Sequence, residues 1–207
     1  MTDSGSLQRL LTWLSPAFPV GAFAWSAGLE TAIAEGRVRD ADALRNWIEG
    51  ALQHGGIRTD AIVLAHAWRA QDDAAALGEL AALCLALTPA AERLREAVLI
   101  GDAFVAAAAA WPSEILDRLP RSCPYPIAVG AIAAAHRVAL DETLLGYLVA
   151  AAHAQVSVAI RLVPLGQTDG LRVMAALERP IDALARAAAS ARLDEIGGIA
   201  YAAEIAQ

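Results

Sequence analysis

The chain contains no lysine, because all 16 of its Lys and Arg positions are arginines. This absence excludes chemistry that requires a lysine amine, namely Schiff-base formation and the phosphate contact of a P-loop. Cysteine is almost as scarce: Cys84 and Cys123 are the only two, and they lie far apart in the sequence. They form neither a Cys-x-x-Cys motif nor a zinc-ligand spacing, so we expect both to be small residues of the core.

Clustered positive charge is also lacking. The net charge is −7 and the arginines are spread singly among acidic residues, which argues against a nucleic-acid partner because phosphate contacts need clustered cations. The first residues, Met1 to Ser4, place no positive charge ahead of an apolar run. No secretory signal is evident, and we therefore expect a cytoplasmic protein.

Patterns typical of β-strands are missing as well, since no segment alternates apolar and polar residues with β-branched enrichment. The periodicity is helical, which predicts an all-α fold. No Pro, Gly or Ser-rich linker divides the chain, so we expect residues 1–207 to form a single domain, a helical bundle of about ten helices.

The apolar spacing and the capping residues predict where these helices lie. Leu7, Leu10, Leu11 and Leu14 form the stripe of a first helix, which Ser15-Pro16 ends. Further helices are expected from Ser26 to Gly36, from Asp40 or Asp42 to Gly55, from Thr59 or Asp60 through Trp68, from Asp72 or Asp73 to Leu87, from Pro89 to Ala110, over 127–139, 142–163, 167–176 and 181–191, and from Leu193.

One apolar stretch, Thr143 to Ile160, is about long enough to cross a bilayer. It contains His153, Gln155 and Ser157, and it lacks flanking aromatic or basic anchors. We therefore expect a buried central helix and no membrane partner, with a membrane-associated helical protein as the competing interpretation.

Catalytic and metal-binding motifs are not evident. The sequence has no nucleophile elbow, P-loop, dinucleotide fingerprint, His-Glu-x-x-His motif or EF-hand spacing. Its histidines, His54, His66, His136 and His153, contain no pair spaced i, i+4, so a metal site would require tertiary convergence. We expect no enzyme, no catalytic residue, no metal ligand and no cofactor.

The most distinctive segment runs from Leu14 to Glu30. It reads LSPAFPVGAFAWSAGLE and contains two prolines, two glycines and three aromatics in a chain otherwise rich in alanine and leucine. Pro16 and Pro19 remove backbone donors, and Gly21 and Gly28 allow backbone conformations that a Cβ disfavours. The pattern resembles the N-terminal signature of the UreF family of urease accessory proteins, which implies signature or partner-binding roles for Ser15, Pro16, Pro19, Gly21, Phe23, Trp25, Ser26, Gly28 and Glu30.

Two further segments carry the same resemblance. Arg161 to Thr168 reads RLVPLGQT and is similar to a late segment of the family, which adds Arg161, Pro164, Gly166 and Gln167 to the candidate residues. The stretch from Glu92 and Arg93 through Glu96 to Phe104 is similar to the family's mid-chain helix. The chain stops at Gln207 without the charged and aromatic tail expected of the family, so we expect that tail to be absent.

The resemblance implies a function. UreF-like proteins are all-α, form homodimers, bind a UreD/UreH-type accessory protein and with it recruit the UreG GTPase, which delivers nickel to apo-urease. The chain would then be a non-enzymatic scaffold or regulator, and GTP and nickel would belong to its partner. A metallochaperone that binds nickel through converging His and Cys residues is the alternative.

The candidate residues also have a purely structural interpretation. The Pro/Gly segment could be a turn that packs Phe18, Phe23 and Trp25 into the core, with Leu29 buried beside them. Ser26 and Glu30 are spaced i, i+4 and could cap a helix or meet a polar partner. Arg161 follows a long uncharged run, and a structural ion pair and a partner-facing role are equally consistent with that position.

Overall fold

Ten α-helices and one 3₁₀ turn form the secondary structure that the computed structural model describes, which covers residues 3–21, 28–87 and 91–196, with the backbone alone for residues 91 and 92. No strand occurs in these ranges, so the fold is all-α as predicted. The helices are α1 (Ser4–Trp13), α2 (Leu29–Ala34), α3 (Ala41–His54), α4 (Gly56–Arg69), α5 (Ala74–Ala86), α6 (Ala91–Ala108), α7 (Ile115–Arg118), α8 (Tyr125–Ala135), α9 (Leu140–Leu162) and α10 (Gln167–Ser190), followed by the 3₁₀ turn Leu193–Glu195.

Aspartates cap several helix starts. The Asp40 carboxylate accepts a hydrogen bond from the Ala43 amide at 2.9 Å, and the Asp73 carboxylate accepts from two amides of the first turn of α5. Each was one of two aspartates predicted to begin its helix, and both satisfy backbone donors that have no partner inside the helix. Asp3 does the same for α1 by accepting from the Ser6 amide.

The predicted start of α4 is wrong. We expected Thr59 or Asp60 to begin it, whereas the helix begins at Gly56 directly after the buried, extended residue Gly55. The glycine pair turns the chain within one residue, so α4 starts a full turn earlier than its capping residues suggest. Asp60 therefore lies inside the helix, where it does not cap the helix start but forms a salt bridge with Arg93.

The core is built around α4 and α8. Almost every residue of α8 is buried, and α8 makes its most extensive contacts with α4. Helices α5, α6, α9 and α10 pack around this pair. Cys84 and Cys123 are both buried and are not joined in a disulfide, as expected of core residues. The largest fully buried side chains are Trp13, Phe104, Leu29, Leu44, Ile48, Leu52, Ile62, Leu64, Leu77, Ile115, Ile127 and Ile132.

Helix α9 contains the apolar stretch noted in the sequence. By length and composition it is the one helix in the described ranges that could cross a membrane, and half of its most apolar window is buried within the protein. Its buried face packs mainly against α10, α4 and α2. This burial is what a central helix of the bundle would show, and part of the remaining face lines the groove described below.

Helix α10 corrects a second prediction. We expected two helices, 167–176 and 181–191, but a single helix runs from Gln167 to Ser190 with Pro180 inside it. The buried residues Val173, Leu177, Ile181 and Leu184 keep helical spacing across the proline. Burial of this stripe compensates for the backbone hydrogen bond that a proline removes.

Smaller differences concern the remaining boundaries. No helix was expected between Ala110 and Ile127, but this stretch contains the short helix α7, which has too few residues to show a period. In the last segment, only the 3₁₀ turn Leu193–Glu195 lies within the described residues, where a helix was expected. The caps expected at Ser26 and at Thr88-Pro89 lie outside the described residues.

Candidate functional site

A groove with a volume of about 600 Å³ opens between α1 with the turn that follows it, α6 and α9. Residues of α4 and of the start of α8 complete its lining. Most of the lining is apolar, and the polar exceptions are few. They are Ser15, Asp60, Arg93, Glu96, Tyr125, Tyr147, His153, Gln155, Ser157 and Arg161.

The groove brings together residues from all three segments that resemble the UreF family. Ser15 and Pro16 come from the first segment, Arg93 and Glu96 from the mid-chain helix, and Arg161 from the late segment. These segments are separated by about 70 residues each in the sequence, and only the packing of α1, α6 and α9 places them on one surface. This convergence makes the groove the candidate functional site.

A chain of turns after α1 shapes one side of the groove. The Phe18 amide donates to the Ser15 carbonyl at 2.9 Å, and the Val20 amide donates to the Phe18 carbonyl at 2.8 Å. Neither of these hydrogen bonds uses a donor from position 16 or 19. Pro16 and Pro19, which have no amide hydrogen, therefore fit the turns. The Phe18 ring packs 5.5 Å from the ring of Phe104 between centroids, so part of this segment is structural, as the alternative interpretation expected.

Trp13 anchors α1 beside this turn. Its ring is 1% exposed and makes edge contacts with the rings of Phe104, Trp111 and His136. The indole Nε1 has no hydrogen-bond partner among the described residues. In the stripe predicted for α1, Leu10 is buried, whereas Leu7 and Leu11 are 43% and 65% exposed. One residue of the stripe therefore packs in the core, while two others face outward.

The two glycines of the first segment both adopt a positive φ, 73° at Gly21 and 80° at Gly28. Gly28 is the N-cap residue of α2, whereas Ser26, the expected cap, lies outside the described residues. Glu30 lies exposed in the first turn of α2, and Leu29 is fully buried as expected. Phe23, Trp25 and Ser26 lie outside the described residues.

The late segment divides into two parts. Arg161 lines the groove, is exposed, and donates to the Ser157 hydroxyl at 3.4 Å, and within the described ranges it forms no salt bridge. Pro164 and Gly166 lie in the connection from α9 to α10, with Gly166 as the N-cap residue of α10, and Gln167 is the first residue of α10. None of the three lines the groove. A partner-facing role of Arg161 stays a prediction.

The groove also contains an ion cluster of Asp60, Arg93 and Glu96. Nη2 of Arg93 lies 3.1 Å from Oδ2 of Asp60, and Nη1 lies 3.5 Å from Oε2 of Glu96. The Tyr147 hydroxyl donates to Oδ2 of Asp60 at 3.3 Å. The three charged side chains are only 15–22% exposed. Helix α6 can approach the backbone of Cys123 and Tyr125 because residue 101 is a glycine. A Cβ on Gly101 would collide with the Cys123 carbonyl oxygen and the Tyr125 amide nitrogen.

Burial governs the protonation of this cluster. It raises the pKa of the Asp60 carboxyl, although Arg93 and the Tyr147 hydroxyl act in the opposite direction. Burial also opposes ionisation of Arg93, but the carboxylates of Asp60 and Glu96 outweigh it and raise the pKa of the guanidinium. Burial and the adjacent Asp60 raise the pKa of Tyr147 well above its ordinary value. Burial removes water from these charged groups, and their interactions with one another compensate only partly for that loss.

Sequence reasoning did not assign this cluster. Arg93 and Glu96 were noted only as part of a resembling helix, and Asp60 only as a capping residue. The available signal was the position of Asp60 directly before the apolar run Ala61 to Ala65, which is entirely buried. A carboxylate next to such a run needs a cationic or hydrogen-bonding partner.

The histidines do not converge. His66 Nε2 lies 3.0 Å from the Ala191 carbonyl oxygen, and His136 packs against Trp13. His54 ends α3, and only His153 lines the groove. Among the described residues, no three His, Cys, Asp or Glu side chains are grouped so that they could hold a metal ion.

Comparisons with known proteins place this geometry in context. A sequence profile of the UreF family matches residues 38–178. The urease accessory protein UreF of Agrobacterium fabrum is 51% identical over 201 residues, covering 97% of this chain and 90% of that protein. The UreF proteins of Rhizobium etli and Sinorhizobium medicae are 49% and 46% identical, over 100% and 99% of this chain and 94% and 92% of their own lengths. The matched regions include all sides of the groove.

Proposed function

Because this chain belongs to the UreF family of urease accessory proteins, we propose that it is a non-enzymatic scaffold for urease maturation. In this proposal it acts with a UreD/UreH-type accessory protein to recruit the UreG GTPase for nickel insertion into apo-urease. The observation that carries the proposal is the convergence of three separate family-like segments on a single apolar groove. Such a surface suits the docking of another protein's side chains.

The chemistry of the groove supports a docking role over catalysis. Asp60 and Glu96 are both engaged with Arg93, so their charges stabilise one another instead of activating a nucleophile. The Tyr147 hydroxyl is occupied by Asp60, and its raised pKa keeps it protonated at neutral pH, so that no phenolate is present to act as a base. We therefore assign GTP hydrolysis and nickel transfer to the partners.

The exposed residues near the groove support the same proposal. Leu11 is 65% exposed and lines the groove. Burial of this apolar side chain against a partner would be favourable in free energy. Arg161 offers a charged group on the same surface. A single domain over residues 1–207, a homodimer and a cytoplasmic location complete the proposed state of the protein.

Co-purification tests this proposal. The tagged chain is mixed separately and jointly with the purified UreD/UreH-type protein, the UreG GTPase and apo-urease, and retained proteins are identified by mass spectrometry. We expect the UreD/UreH-type protein to be retained and the GTPase to be retained when that protein is present. Retention of none of the three under any combination would contradict the scaffold role.

A further inference from the structure

We propose that the groove receives an amphipathic helix of a partner protein, whose apolar side chains cover Leu11 and Val149 and whose Asp or Glu carboxylate pairs with Arg161. This inference rests on the scaffold role proposed above and specifies the chemistry of the partner at that site. Three observations carry it: a row of side chains along the outer face of α9, the orientation of the Arg161 guanidinium, and the exposed apolar side chains where α1 meets α9.

One face of α9 presents a continuous row of side chains to the groove. Val149, His153 and Arg161 are exposed, Ser157 is half-buried, and all four line the groove. Successive members are spaced i, i+4, so their Cβ atoms lie about 5–6 Å apart. The row is about 18 Å long, which a partner helix of about 12 residues spans. Its character changes from apolar at Val149 to polar at the other three positions.

The Arg161 side chain lies along this row. Its Nη1 donates to the Ser157 hydroxyl at 3.4 Å, so the guanidinium points back over the preceding turn of α9. A guanidinium has five N–H donors in a planar fork that matches the two oxygens of a carboxylate. Within the described part of the chain, no Asp or Glu lies within salt-bridge distance of Arg161. The exposed fork is therefore able to receive a carboxylate from another protein.

The acidic side chains of the groove lining do not compensate the charge of Arg161. Asp60 and Glu96 both pair with Arg93, and the Tyr147 hydroxyl contacts Asp60. Arg161 lies fourteen residues beyond Tyr147, which corresponds to about 21 Å along α9. The Debye length is about 8 Å at physiological ionic strength. Because Arg161 is exposed to solvent, the distant ion cluster neither neutralises it nor repels a carboxylate that binds to it.

The opposite end of the row continues into an exposed apolar surface. Leu11 of α1 is 65% exposed and Val149 is 36% exposed, and both line the groove. One turn earlier on the same helices, Leu7 and Leu145 are each 43% exposed. The two helices approach closely at Gly146, where a Cβ would contact leucine side chains of α1 and its C-cap. A small anion would leave these apolar side chains in water, whereas the apolar face of a helix would cover them.

Small side chains beside the row allow a helix to come close. Ala150 and Ala154 line the groove next to Val149 and His153. Helices pack by placing the side-chain ridge of one helix between the ridges of the other, and a row spaced i, i+4 is such a ridge. The partner segment then has apolar residues on one face over its first or last turns. On the same face, about three turns away, it has the acidic residue that meets Arg161.

Model peptides test this chemistry without any urease protein. Three fluorescein-labelled, alanine-rich helical peptides of about 20 residues carry leucines on one face of one half. On the same face of the other half they carry two Glu, two Gln or two Lys. Each peptide is made with the apolar half first and with it last, because the row defines no chain direction. Fluorescence anisotropy measures their affinities for the full chain. In one of the two orders, we expect the Glu peptide to bind about fivefold more tightly than the Gln peptide and the Lys peptide to bind most weakly.

Variants assign the preference to Arg161. Arg161→Gln removes the cation, so the Glu preference should fall below about twofold. Arg161→Lys keeps the charge but not the planar fork and should give an intermediate preference. Arg179→Gln changes an exposed arginine of α10 outside the groove and should leave the preference intact. Leu11→Ala should weaken all three peptides alike, because it removes apolar contact area and leaves the charge. The substituted side chains are all exposed, and circular dichroism checks that each variant folds.

Several results would overturn the inference. They are equal binding of the Glu and Gln peptides in both orders, tightest binding of the Lys peptide, a Glu preference that persists in folded Arg161→Gln, and no peptide binding at all. Binding of the chain to phosphatidylglycerol vesicles that is lost in Arg161→Gln would identify an anionic membrane as the occupant. A homodimer that dissociates in Leu11→Ala would identify a second copy, and either result would contradict the inference. Co-purification of the urease proteins, measured in parallel, separates failure of this inference from failure of the scaffold role.

Discussion

Arg93 of α6 and Asp60 of α4 form a salt bridge in the groove, with 3.1 Å between Nη2 and Oδ2. The two residues are 33 positions apart in the sequence, and their side chains are 22% and 21% exposed. The bridge joins a helix of the central pair to the helix that resembles the family's mid-chain segment. It therefore links the stability of the fold to the shape of the candidate site.

Removal of Arg93 should destabilise the protein. We expect Arg93→Met to lower the free energy of unfolding by about 2–3 kcal/mol, because the variant leaves two poorly hydrated carboxylates without their cation. Urea denaturation followed by circular dichroism measures this change. Arg186→Met is the matched control, since Arg186 pairs with Asp182 on the surface with 79% and 52% exposure and should matter by less than about 0.5 kcal/mol. Equal effects of the two substitutions would show that the groove pair is no more important than a surface pair.

The buried thiols should make stability decrease at alkaline pH. Burial raises the pKa of Cys84 and of Cys123 from 9.0 to about 12. Thiols of the unfolded chain ionise near pH 9 while those of the folded chain stay protonated, so ionisation favours unfolding. Their contribution is fully present below pH 9 and is lost as the pH rises to about 12.

Urea denaturation between pH 8 and pH 11 checks this expectation. A variant with Cys84→Ala and Cys123→Ala should lose less stability over the same interval than the unmodified chain. It should keep part of the decline, because burial also raises the pKa of Tyr125 and Tyr147. In the native protein at pH 8 both thiols should react slowly with Ellman's reagent, and rapid reaction would contradict their burial.

Trp13 should hold α1 on the protein. Trp13→Ala removes a ring that is 1% exposed and contacts three other rings, so we expect a loss of about 3 kcal/mol. Trp13→Phe keeps an aromatic ring and removes an indole N–H without a partner among the described residues, so it should cost less. Hydrogen exchange of the α1 amides separates local release of α1 from global unfolding. Unchanged protection of α1 in Trp13→Ala would contradict the anchoring role.

The protein alone should not bind nickel tightly. Divalent nickel sites require converging imidazole, thiolate or carboxylate ligands, and His66 and His136 are engaged with the Ala191 carbonyl and the Trp13 ring. Equilibrium dialysis should show little nickel retained by the chain. A stoichiometric site of sub-micromolar affinity that disappears on substitution of His66 or His153 would instead support the metallochaperone alternative.

Local sequence signals predicted much of the fold. The aspartate caps of α3 and α5 and the proline end of α1 are properties of a few neighbouring residues. They were predicted correctly, the caps to within two candidate aspartates each. Pro180 led to a wrong prediction of two helices, because its local effect on the backbone is overridden by burial of the stripe that contains Leu177 and Ile181. The start of α4 was missed because the turn at Gly55 depends on how α3 and α4 pack.

The candidate site was only partly predictable. The segments around Ser15 and Arg161 were found through their resemblance to a family, but nothing in their spacing indicated that they share a groove. The pairing of Asp60 with Arg93 depends on the packing of α4 and of α6 against α8, which no local pattern encodes. Pro164, Gly166 and Gln167 were selected with Arg161, yet the structure places them at the connection between α9 and α10 and at the start of α10, outside the groove lining.

The central claim is that partners dock at the groove, and Leu11→Asp tests it most directly. Leu11 and Leu171 are both 65% exposed, but only Leu11 lines the groove, so Leu171→Asp is the matched control. The measurement is the affinity of each folded variant for the UreD/UreH-type protein, by isothermal titration calorimetry. We predict that Leu11→Asp weakens binding at least about tenfold, because a carboxylate would have to be buried in a mostly apolar groove, while Leu171→Asp binds like the unmodified chain. Unchanged binding by Leu11→Asp, or an equal loss in both variants, would contradict docking at the groove.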